Sequence, residues 1–248
     1  MHAASPDRIH TITIDYRGFG NSSGTPSEKG LLQDALAVAD WAMREAKIPL
    51  PRIVLFGQSL GTAVCISLAH HLALRAEPVL FSSMVLVAPF FDVESLTATY
   101  RVGGVVPILG PLARLPWLMT FFTSFICAKW ASGDKLADFV RICESMSARE
   151  RKYDVTVIHA EDDFDIPWEH SERLFQHATK AAGSARNLEA VAGKFDAKFG
   201  SAGGLVCHET ARVVLRKQIT KWGLHDRIMS HPIVSLAVLR AFQLDSES

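Results

Sequence analysis

A serine, a carboxylate and a histidine in this sequence could together carry out nucleophilic catalysis. Ser59 lies in the pattern G-Q-S-L-G at residues 57–61, which is a G-x-S-x-G motif. The short, largely apolar stretch Arg52–Phe56 precedes the motif, and an apolar helix is predicted over Leu60–Leu74 directly after it. A strand, a sharp turn and a helix in this order are typical of a nucleophile elbow, which raises a serine hydroxyl above the edge of a sheet.

The residues next to Ser59 have two predicted roles in the elbow. We expect both Gly57 and Gly61 to be required, because a side chain at either position would collide with the neighbouring strand or helix. The N–H of Leu60, at the start of the predicted helix, is placed to donate a hydrogen bond to a developing oxyanion. Leu60 is therefore the predicted oxyanion residue.

A serine hydroxyl needs a base to take its proton, and after such an elbow an acid and then a histidine follow in the chain. The predicted strand Asp154–His159 leads into an acidic loop. Its carboxylates belong to Glu161, Asp162, Asp163 and Asp165. Asp163 is the predicted acid, because it lies four residues before Pro167 with an apolar residue between them. Asp162 is the alternative.

His208 is the predicted base. It stands between a glycine-rich loop at 200–207 and a predicted amphipathic helix, Glu209–Trp222, from which its side chain could reach back over the sheet edge. The other histidines downstream of the acid are His170, His177, His225 and His231. The first two share one face of a predicted helix, which indicates a surface or packing role, and the last two follow the last predicted helix.

These residues need a sheet that holds them at one edge. The sequence alternates predicted strands and helices, which is typical of an α/β domain with a mostly parallel sheet. The predicted strands are Ile9–Asp15, Arg52–Phe56, Met84–Ala88 and Asp154–His159. A length of 248 residues with 48% hydrophobic residues fits one large domain, 1–248, with a packed core.

The composition argues against several other classes of protein. Lys+Arg and Asp+Glu number 26 each, so the formal net charge is zero, which argues against a dedicated nucleic-acid binder. The cysteines form no C-x-x-C pair and no H-E-x-x-H motif occurs, so no metal site is predicted. The glycine-rich turn at residues 17–24 does not have the spacing of a dinucleotide-binding fingerprint, so no dinucleotide site is predicted either.

Residues 90–152 interrupt the alternation of strands and helices, and an insertion of this size is commonly a cap over a site. Its apolar residues include Leu112, Trp117, Phe121 and Phe122, which could bind an acyl chain but also fit a core. Its longest uncharged run, Leu115–Ala128, has 14 residues, whereas a membrane-spanning helix needs about 20. We interpret the most apolar part of the insertion, Val102–Ala128, as buried or interfacial, and contact between the cap and a membrane surface stays open.

Three motifs and a late histidine resemble the α/β-hydrolase superfamily, and within it the lysophosphatidylserine-lipase and monoacylglycerol-lipase-like branch. The motifs are I-D-Y-R-G-F-G-N-S-S-G at 14–24, G-Q-S-L-G at 57–61 and H-A-E-D-D-F-D-I-P at 159–167. The resemblance implies an α/β-hydrolase fold, with helices on both faces of a mostly parallel sheet and a cap. It implies Ser59 as nucleophile, Asp163 as acid and His208 as base. It also implies hydrolysis of lysophospholipid or monoacylglycerol esters without a cofactor.

One feature departs from the family pattern. Family members carry a His-Gly loop after a strand upstream of the D-Y-R-G-F-G strand, and that loop supplies the second oxyanion N–H. No His-Gly dipeptide occurs in this sequence, and eight residues precede Ile9. The resemblance therefore implies an N-terminally truncated hydrolase that lacks the first strands, half the oxyanion hole and the membrane anchor that some relatives carry.

Two functions from different classes follow. The first is a serine hydrolase that cleaves lipid esters through an acyl-enzyme, with a thioesterase or peptidase of the same fold left open. The second is a catalytically impaired homologue that binds a lipid or a protein partner. Without an anchor we expect a soluble chain, with attachment to a membrane surface through the cap left open, and the sequence predicts no oligomeric state.

Overall fold

The computed structural model describes residues 9–99, 129–146, 152–184, 193–198 and 203–243. Within these ranges the chain forms a six-stranded sheet with the strand order β1-β2-β3-β6-β5-β4. The strands are β1 (Val54–Gln58), β2 (Ser83–Val87), β3 (Tyr153–Ala160), β4 (Gly193–Lys198), β5 (Gly204–Glu209) and β6 (Val213–Thr220). Strands β1, β2, β3 and β6 are parallel to one another, whereas β5 is antiparallel to β6 and β4 is antiparallel to β5.

Helices cover both faces of this sheet. They are α1 (Glu28–Asp40), α2 (Leu60–Ala73), α3 (Val93–Thr99), α4 (Ser132–Ser145), α5 (Glu169–Ser184) and α6 (Pro232–Gln243). A π-helical turn, Trp41–Glu45, extends α1, and short 3₁₀ turns occur at Leu50–Arg52 and Arg227–Ser230. The prediction of a mostly parallel sheet with helices on both faces is confirmed.

The core is divided by the alternation of side chains along the strands. On β2, Met84 and Leu86 belong to a cluster formed with α2, α4 and α5. Val85 and Val87 belong to a separate cluster on the opposite face, formed with α6. All four side chains are 0–1% exposed, which explains why the parallel strands are continuously apolar: a strand covered by helices on both faces has no solvent side.

The parallel register brings the carboxyl ends of the strands to one edge of the sheet. Gln58 at the end of β1 is level with Val87 of β2, which is level with Ile158 of β3. Ala160, at the end of β3, is level with Thr220, at the end of β6. The loops that follow β1, β3 and β6 therefore leave the sheet on the same side, where ligands bind in open α/β sheets.

The prediction of a helix over Glu209–Trp222 is wrong. Most of this segment is strand β6, which pairs with β3 over eight positions from Tyr153↔Val213 to Ala160↔Thr220. Leu215 and Ile219 are four residues apart, a spacing that fits a helix face but also fits two alternate positions of a strand. Pairing with β3 decides between them, because it satisfies the backbone groups of both segments.

The predicted strand Ile9–Asp15 does not form either. The segment has no regular secondary structure, and Ile12 and Ile14 are 47% and 41% exposed. Strand β1 is the edge of the sheet, so in the described part of the chain no strand pairs with its outer side. The alternating pattern of Ile9–Asp15 thus has no partner strand against which to bury its isoleucines.

The predicted cap, residues 90–152, is described only in part. Helix α4 lies within these limits but packs in the main core, since Leu136 and Phe139 are 1% and 0% exposed and join the cluster of α2 and α5. The predicted acyl-binding residues lie outside the described residues. These are Leu112, Trp117, Phe121 and Phe122. None of the described helices has the length and apolar character needed to cross a bilayer.

Replacing Phe139 tests the packing of α4 against the sheet. Its ring is fully buried and meets the Tyr153 ring edge-on at a centroid distance of 4.8 Å. We expect Phe139→Ala to lower the free energy of unfolding by about 3–5 kcal/mol, because the change leaves a cavity. Leu236 on α6 is 57% exposed, so Leu236→Ala is expected to change stability by less than about 0.5 kcal/mol. Urea denaturation of both variants measures the difference, and equal losses would contradict this packing.

Candidate active site

The turn between β1 and α2 has the backbone geometry of a nucleophile elbow. Ser59 connects the last residue of β1 to the first residue of α2, and its φ and ψ angles are 51° and −119°. Residues other than glycine rarely adopt a positive φ, and such strain persists only where surrounding contacts enforce it. Here the N–H of Ser59 donates to the carbonyl oxygen of Val87 at 2.9 Å. The Ser59 carbonyl accepts from the Thr62 hydroxyl at 2.5 Å.

The two glycines of the motif differ in how strongly the turn requires them. A Cβ at Gly57 would lie 2.4 Å from the carbonyl oxygen of Gly61, which is backbone and cannot move aside. A Cβ at Gly61 would have none of the described residues within 4 Å, outside its own helical turn. The expected collision therefore occurs at Gly57 but not at Gly61.

Leu60 is the first residue of α2. The first N–H groups of a helix have no acceptor within the helix and carry the positive end of its dipole. The Leu60 N–H next to Ser59 is consequently in the position expected of an oxyanion donor, and its role stays a prediction.

Asp163 lies in the loop after β3, and its side chain is fully buried. Its Oδ1 accepts the backbone N–H groups of Asp165 and Ile166, each at 2.9 Å. Its Oδ2 is 2.8 Å from Nδ1 of His225 and 3.1 Å from Nε2 of His159. A carboxylate only accepts hydrogen bonds, so both imidazole nitrogens carry a hydrogen. Four donors thus fix the orientation of this carboxylate.

His225 lies in the loop after β6, and this loop is held from two sides. The side-chain amide of Gln58, next to Ser59, donates to the carbonyl oxygen of His225 at 2.9 Å. The N–H of Leu224 donates to the carboxylate of Asp162 at 2.9 Å. Asp162, the alternative candidate for the acid, therefore anchors the loop that carries the histidine. The contact with Gln58 brings His225 back across the sheet edge to the elbow.

For both Asp163 and His225, burial and hydrogen bonding shift the pKa in opposite directions. Burial alone would raise the pKa of Asp163, but hydrogen bonds from His159, His225 and the Ile166 N–H outweigh it and hold that pKa far below its usual range. Burial alone would lower the pKa of His225, but the hydrogen bond and charge of Asp163, with smaller contributions from other nearby carboxylates, raise it above its usual value. Asp163 is therefore ionised at neutral pH and stabilises a proton on His225.

The structure does not bring His208 to Asp163. His208 lies within β5, level with Leu215 of β6, which is level with Val155 of β3. Val155 lies five residues before Ala160 at the end of β3, which is about 16 Å along a strand. Because β5 belongs to an antiparallel hairpin, its residues run away from the edge that carries Ser59 and Asp163.

The sequence pattern does not single out His225, because interpreting Glu209–Trp222 as a helix leaves this residue in a tail with no assigned structure. The sequence V-V-L-R-K-Q-I-T at 213–220 holds β-branched residues at both ends, which favours a strand. Interpreted as a strand, it would have placed His225 in the loop after a strand, as Asp163 is placed after β3. That signal was present in the sequence.

Asp163, Asp165 and His225 could each offer one ligand atom to a metal, and these atoms lie within 4.8 Å of one another. The hydrogen bonds of Asp163 account for this clustering without an ion, since both of its oxygens are already engaged by N–H donors.

A model of the alpha/beta hydrolase family matches residues 1–214 of the sequence. The chain belongs to this family. Among solved structures, an alpha-beta hydrolase from Vibrio vulnificus is similar in fold, with a TM-score of 0.53 at 17% sequence identity. That alignment covers 91% of this chain and 61% of the Vibrio chain.

Two curated relatives resemble this chain in sequence. Lysophosphatidylserine lipase ABHD12 of Danio rerio is 28% identical over 172 residues, which cover 69% of this chain and 40% of the relative. Human Protein ABHD12B is 29% identical over 183 residues, which cover 74% of this chain and 44% of the relative. The aligned part of this chain thus spans less than half the length of the curated relatives it matches.

Alanine at the two glycines of the motif tests the elbow geometry. We expect Gly57→Ala to lower the free energy of unfolding by at least about 1–3 kcal/mol, because its methyl group meets backbone. Gly61→Ala is the matched control and is expected to be neutral or stabilising by up to about 1 kcal/mol, since alanine favours a helix more than glycine does. Urea denaturation of both variants measures this. Equal destabilisation at the two positions would contradict the turn described here.

Proposed function

We propose that this chain is a serine hydrolase that cleaves carboxylic esters of lipids, with Ser59 as nucleophile, Asp163 as acid and His225 as base. The observation that carries the proposal is the 2.8 Å hydrogen bond between Asp163 and His225, at the sheet edge where the strained turn holds Ser59. The assignment of the base thus moves from His208 to His225. The order serine, acid, histidine along the chain is kept.

In the first half of the reaction His225 acts as general base. Its Nδ1 is held by Asp163, so Nε2 is the nitrogen that takes the proton of the Ser59 hydroxyl. The serine oxygen attacks the ester carbonyl, and the negative charge that develops on the carbonyl oxygen is stabilised by the N–H of Leu60. Asp163 stabilises the imidazolium that forms.

The tetrahedral intermediate then collapses: the ester C–O bond breaks, His225 gives its proton to the leaving alcohol, and the acyl group stays on Ser59. In the second half water attacks the acyl-enzyme with His225 again as base, and His225 returns the proton to the serine oxygen as the acid leaves. Every proton in this cycle passes through His225, so its position and basicity control the rate.

Two observations support a lipid ester as substrate. One relative carries the name lysophosphatidylserine lipase. In addition, Phe164 and Trp222 are 85% and 71% exposed, and they lie on the loops that carry Asp163 and His225. Large apolar side chains beside a site favour an apolar substrate and contact with a lipid surface. We propose a lysophospholipid or monoacylglycerol, with Leu112, Trp117, Phe121 and Phe122 still predicted to contact its acyl chain.

A fluorophosphonate probe, which reacts with activated serines, tests the nucleophile and the base. We expect the wild-type chain to be labelled and Ser59→Ala not to be. His225→Gln is expected to slow labelling by at least about 10³-fold, because serine is then left without its base. His208→Gln is the matched control and should label within about twofold of wild type.

The outcomes of this labelling experiment separate the competing functions. Wild type that labels no better than Ser59→Ala would overturn the proposal in favour of a homologue that only binds a lipid or a partner. Slower labelling of His208→Gln than of His225→Gln would return the base to His208. Turnover of a lysophospholipid against a matched thioester and peptide distinguishes an esterase from a thioesterase or peptidase.

The pH dependence of ester hydrolysis tests the coupling between Asp163 and His225. Only neutral His225 can accept a proton, so kcat/KM is expected to rise with pH through a pKa above the ordinary histidine value of 6.5. Asp163→Asn removes the charge that raises this pKa. The acid limb, which is the part of the profile where kcat/KM rises with pH, should therefore move to lower pH, and the plateau should fall by about 10³–10⁴-fold. An acid limb that stays in place in this variant would contradict the pairing. A p-nitrophenyl ester is a suitable substrate.

A further inference from the structure

His159 is a buried histidine that contacts the candidate acid. It is the second-to-last residue of β3 and is 0% exposed. Its Nε2 lies 3.1 Å from Oδ2 of Asp163 and 2.9 Å from the carbonyl oxygen of Ile166. Its Nδ1 lies 2.6 Å from the hydroxyl oxygen of Ser171, near the start of α5. Both ring nitrogens are therefore engaged by the loop after β3 and by the helix that follows it.

The partners determine which way the hydrogens point. Nε2 faces a carboxylate and a carbonyl oxygen, and neither group can donate, so Nε2 carries the hydrogen. In the neutral ring Nδ1 is then an acceptor, and the Ser171 hydroxyl donates to it. Ser171 is itself 0% exposed. This arrangement shares one N–H between the carbonyl oxygen of Ile166, at 2.9 Å, and the oxygen of Asp163 that His225 also contacts, at 3.1 Å.

We propose that His159 is a positioning residue of the active site, which holds the carboxylate of Asp163 in place for His225 through their shared oxygen Oδ2. The proposal rests on the Ser–His–Asp function proposed above and deepens it. His159 contacts neither the serine nor a substrate in this scheme, and acts only through Asp163.

The shared oxygen gives His159 two effects on the base. The first is geometric: with one of its donors removed, the carboxylate of Asp163 can rotate, and the imidazole of His225 loses its fixed orientation. The second is electrostatic: the N–H of His159 takes part of the negative charge of Oδ2, which weakens the attraction between Asp163 and a protonated His225. Removal of His159 should therefore lower the rate and at the same time make His225 more basic.

The other charged and titratable groups around Asp163 and His225 do not reverse the direction of either effect. Asp165 and Asp226 add to the attraction that Asp163 exerts on a proton on His225. On α5, His170 interacts electrostatically with His159, but burial, with Arg173 adding to it, lowers the pKa of His170 to about 4, so His170 is neutral at neutral pH. None of these groups replaces the N–H that His159 gives to Oδ2.

Three variants test the proposal: His159→Phe, which removes the donor, His159→Gln, which keeps an N–H donor, and Ser171→Ala, which removes only the partner of Nδ1. We expect His159→Phe to lower the plateau of kcat/KM on p-nitrophenyl butyrate by about 10- to 100-fold. We also expect its acid limb to move to higher pH. His159→Gln should recover most of both changes, and Ser171→Ala should show smaller changes of the same sign.

The position of the acid limb of the pH profile distinguishes a positioning role of His159 from a loss of stability alone. A variant that is only less stable has a smaller active fraction, which lowers the rate without moving the limb. If the acid limbs of His159→Phe and Ser171→Ala both coincide with that of the wild type, the proposal is overturned. It is also overturned if the acid limb of His159→Gln is displaced as far as that of His159→Phe. Thermal unfolding of each variant gives the folded fraction for the comparison.

An NMR titration of the histidine side chains distinguishes failure of this proposal from failure of the hydrolase proposal. The titration reports the pKa of His225 directly and needs no turnover. Absence of fluorophosphonate labelling in wild type would overturn the hydrolase function alone. A pKa of His225 that is raised in His159→Phe supports the positioning role, and an unchanged pKa overturns it.

Discussion

The candidate site depends on one buried carboxylate. Burying the charge of Asp163 is unfavourable unless the lost contacts with water are replaced. Backbone N–H groups of its own loop bind one oxygen, and the imidazoles of His159 and His225 bind the other. The same contacts that stabilise the charge also tie the end of β3 to the loop after β6. The carboxylate is therefore a structural junction as well as a candidate acid.

The junction at Asp163 lies beside the elbow although β1 and β6 are not neighbours in the sheet. Two strands, β2 and β3, separate them in the sheet. The hydrogen-bond pattern continues past the strand ends, where Ser59 donates to Val87 and Ala88 donates to Ile158. These bonds keep the turns close to the sheet edge. The loop after β6 lies across that edge, where Gln58 binds the carbonyl oxygen of His225.

The elbow and the acidic loop could be predicted from the sequence because each depends on a short stretch of chain. A glycine two residues before Ser59 and an apolar strand before it are local features, and so is the position of Asp163 after an apolar strand. The histidine depends on the pairing of β6 with β3, which lie about 60 residues apart along the chain. Local periodicity alone favours a helix over Glu209–Trp222, and that interpretation does not place His225 beside Asp163.

For Ile9–Asp15 the side-chain pattern predicts a strand that does not form, and the reason is again that the pattern does not report strand pairing. Its sequence I-H-T-I-T-I-D alternates as regularly as any strand pattern in the chain, yet the segment forms no strand. V-V-L-R-K-Q-I-T alternates less clearly and forms the long central strand β6. The two segments differ in whether neighbouring strands are available to pair with them. Strand β6 has hydrogen-bonding partners on both sides, β3 and β5. Side-chain alternation decides which face of a strand is apolar, but a strand exists only where another edge accepts its backbone hydrogen bonds.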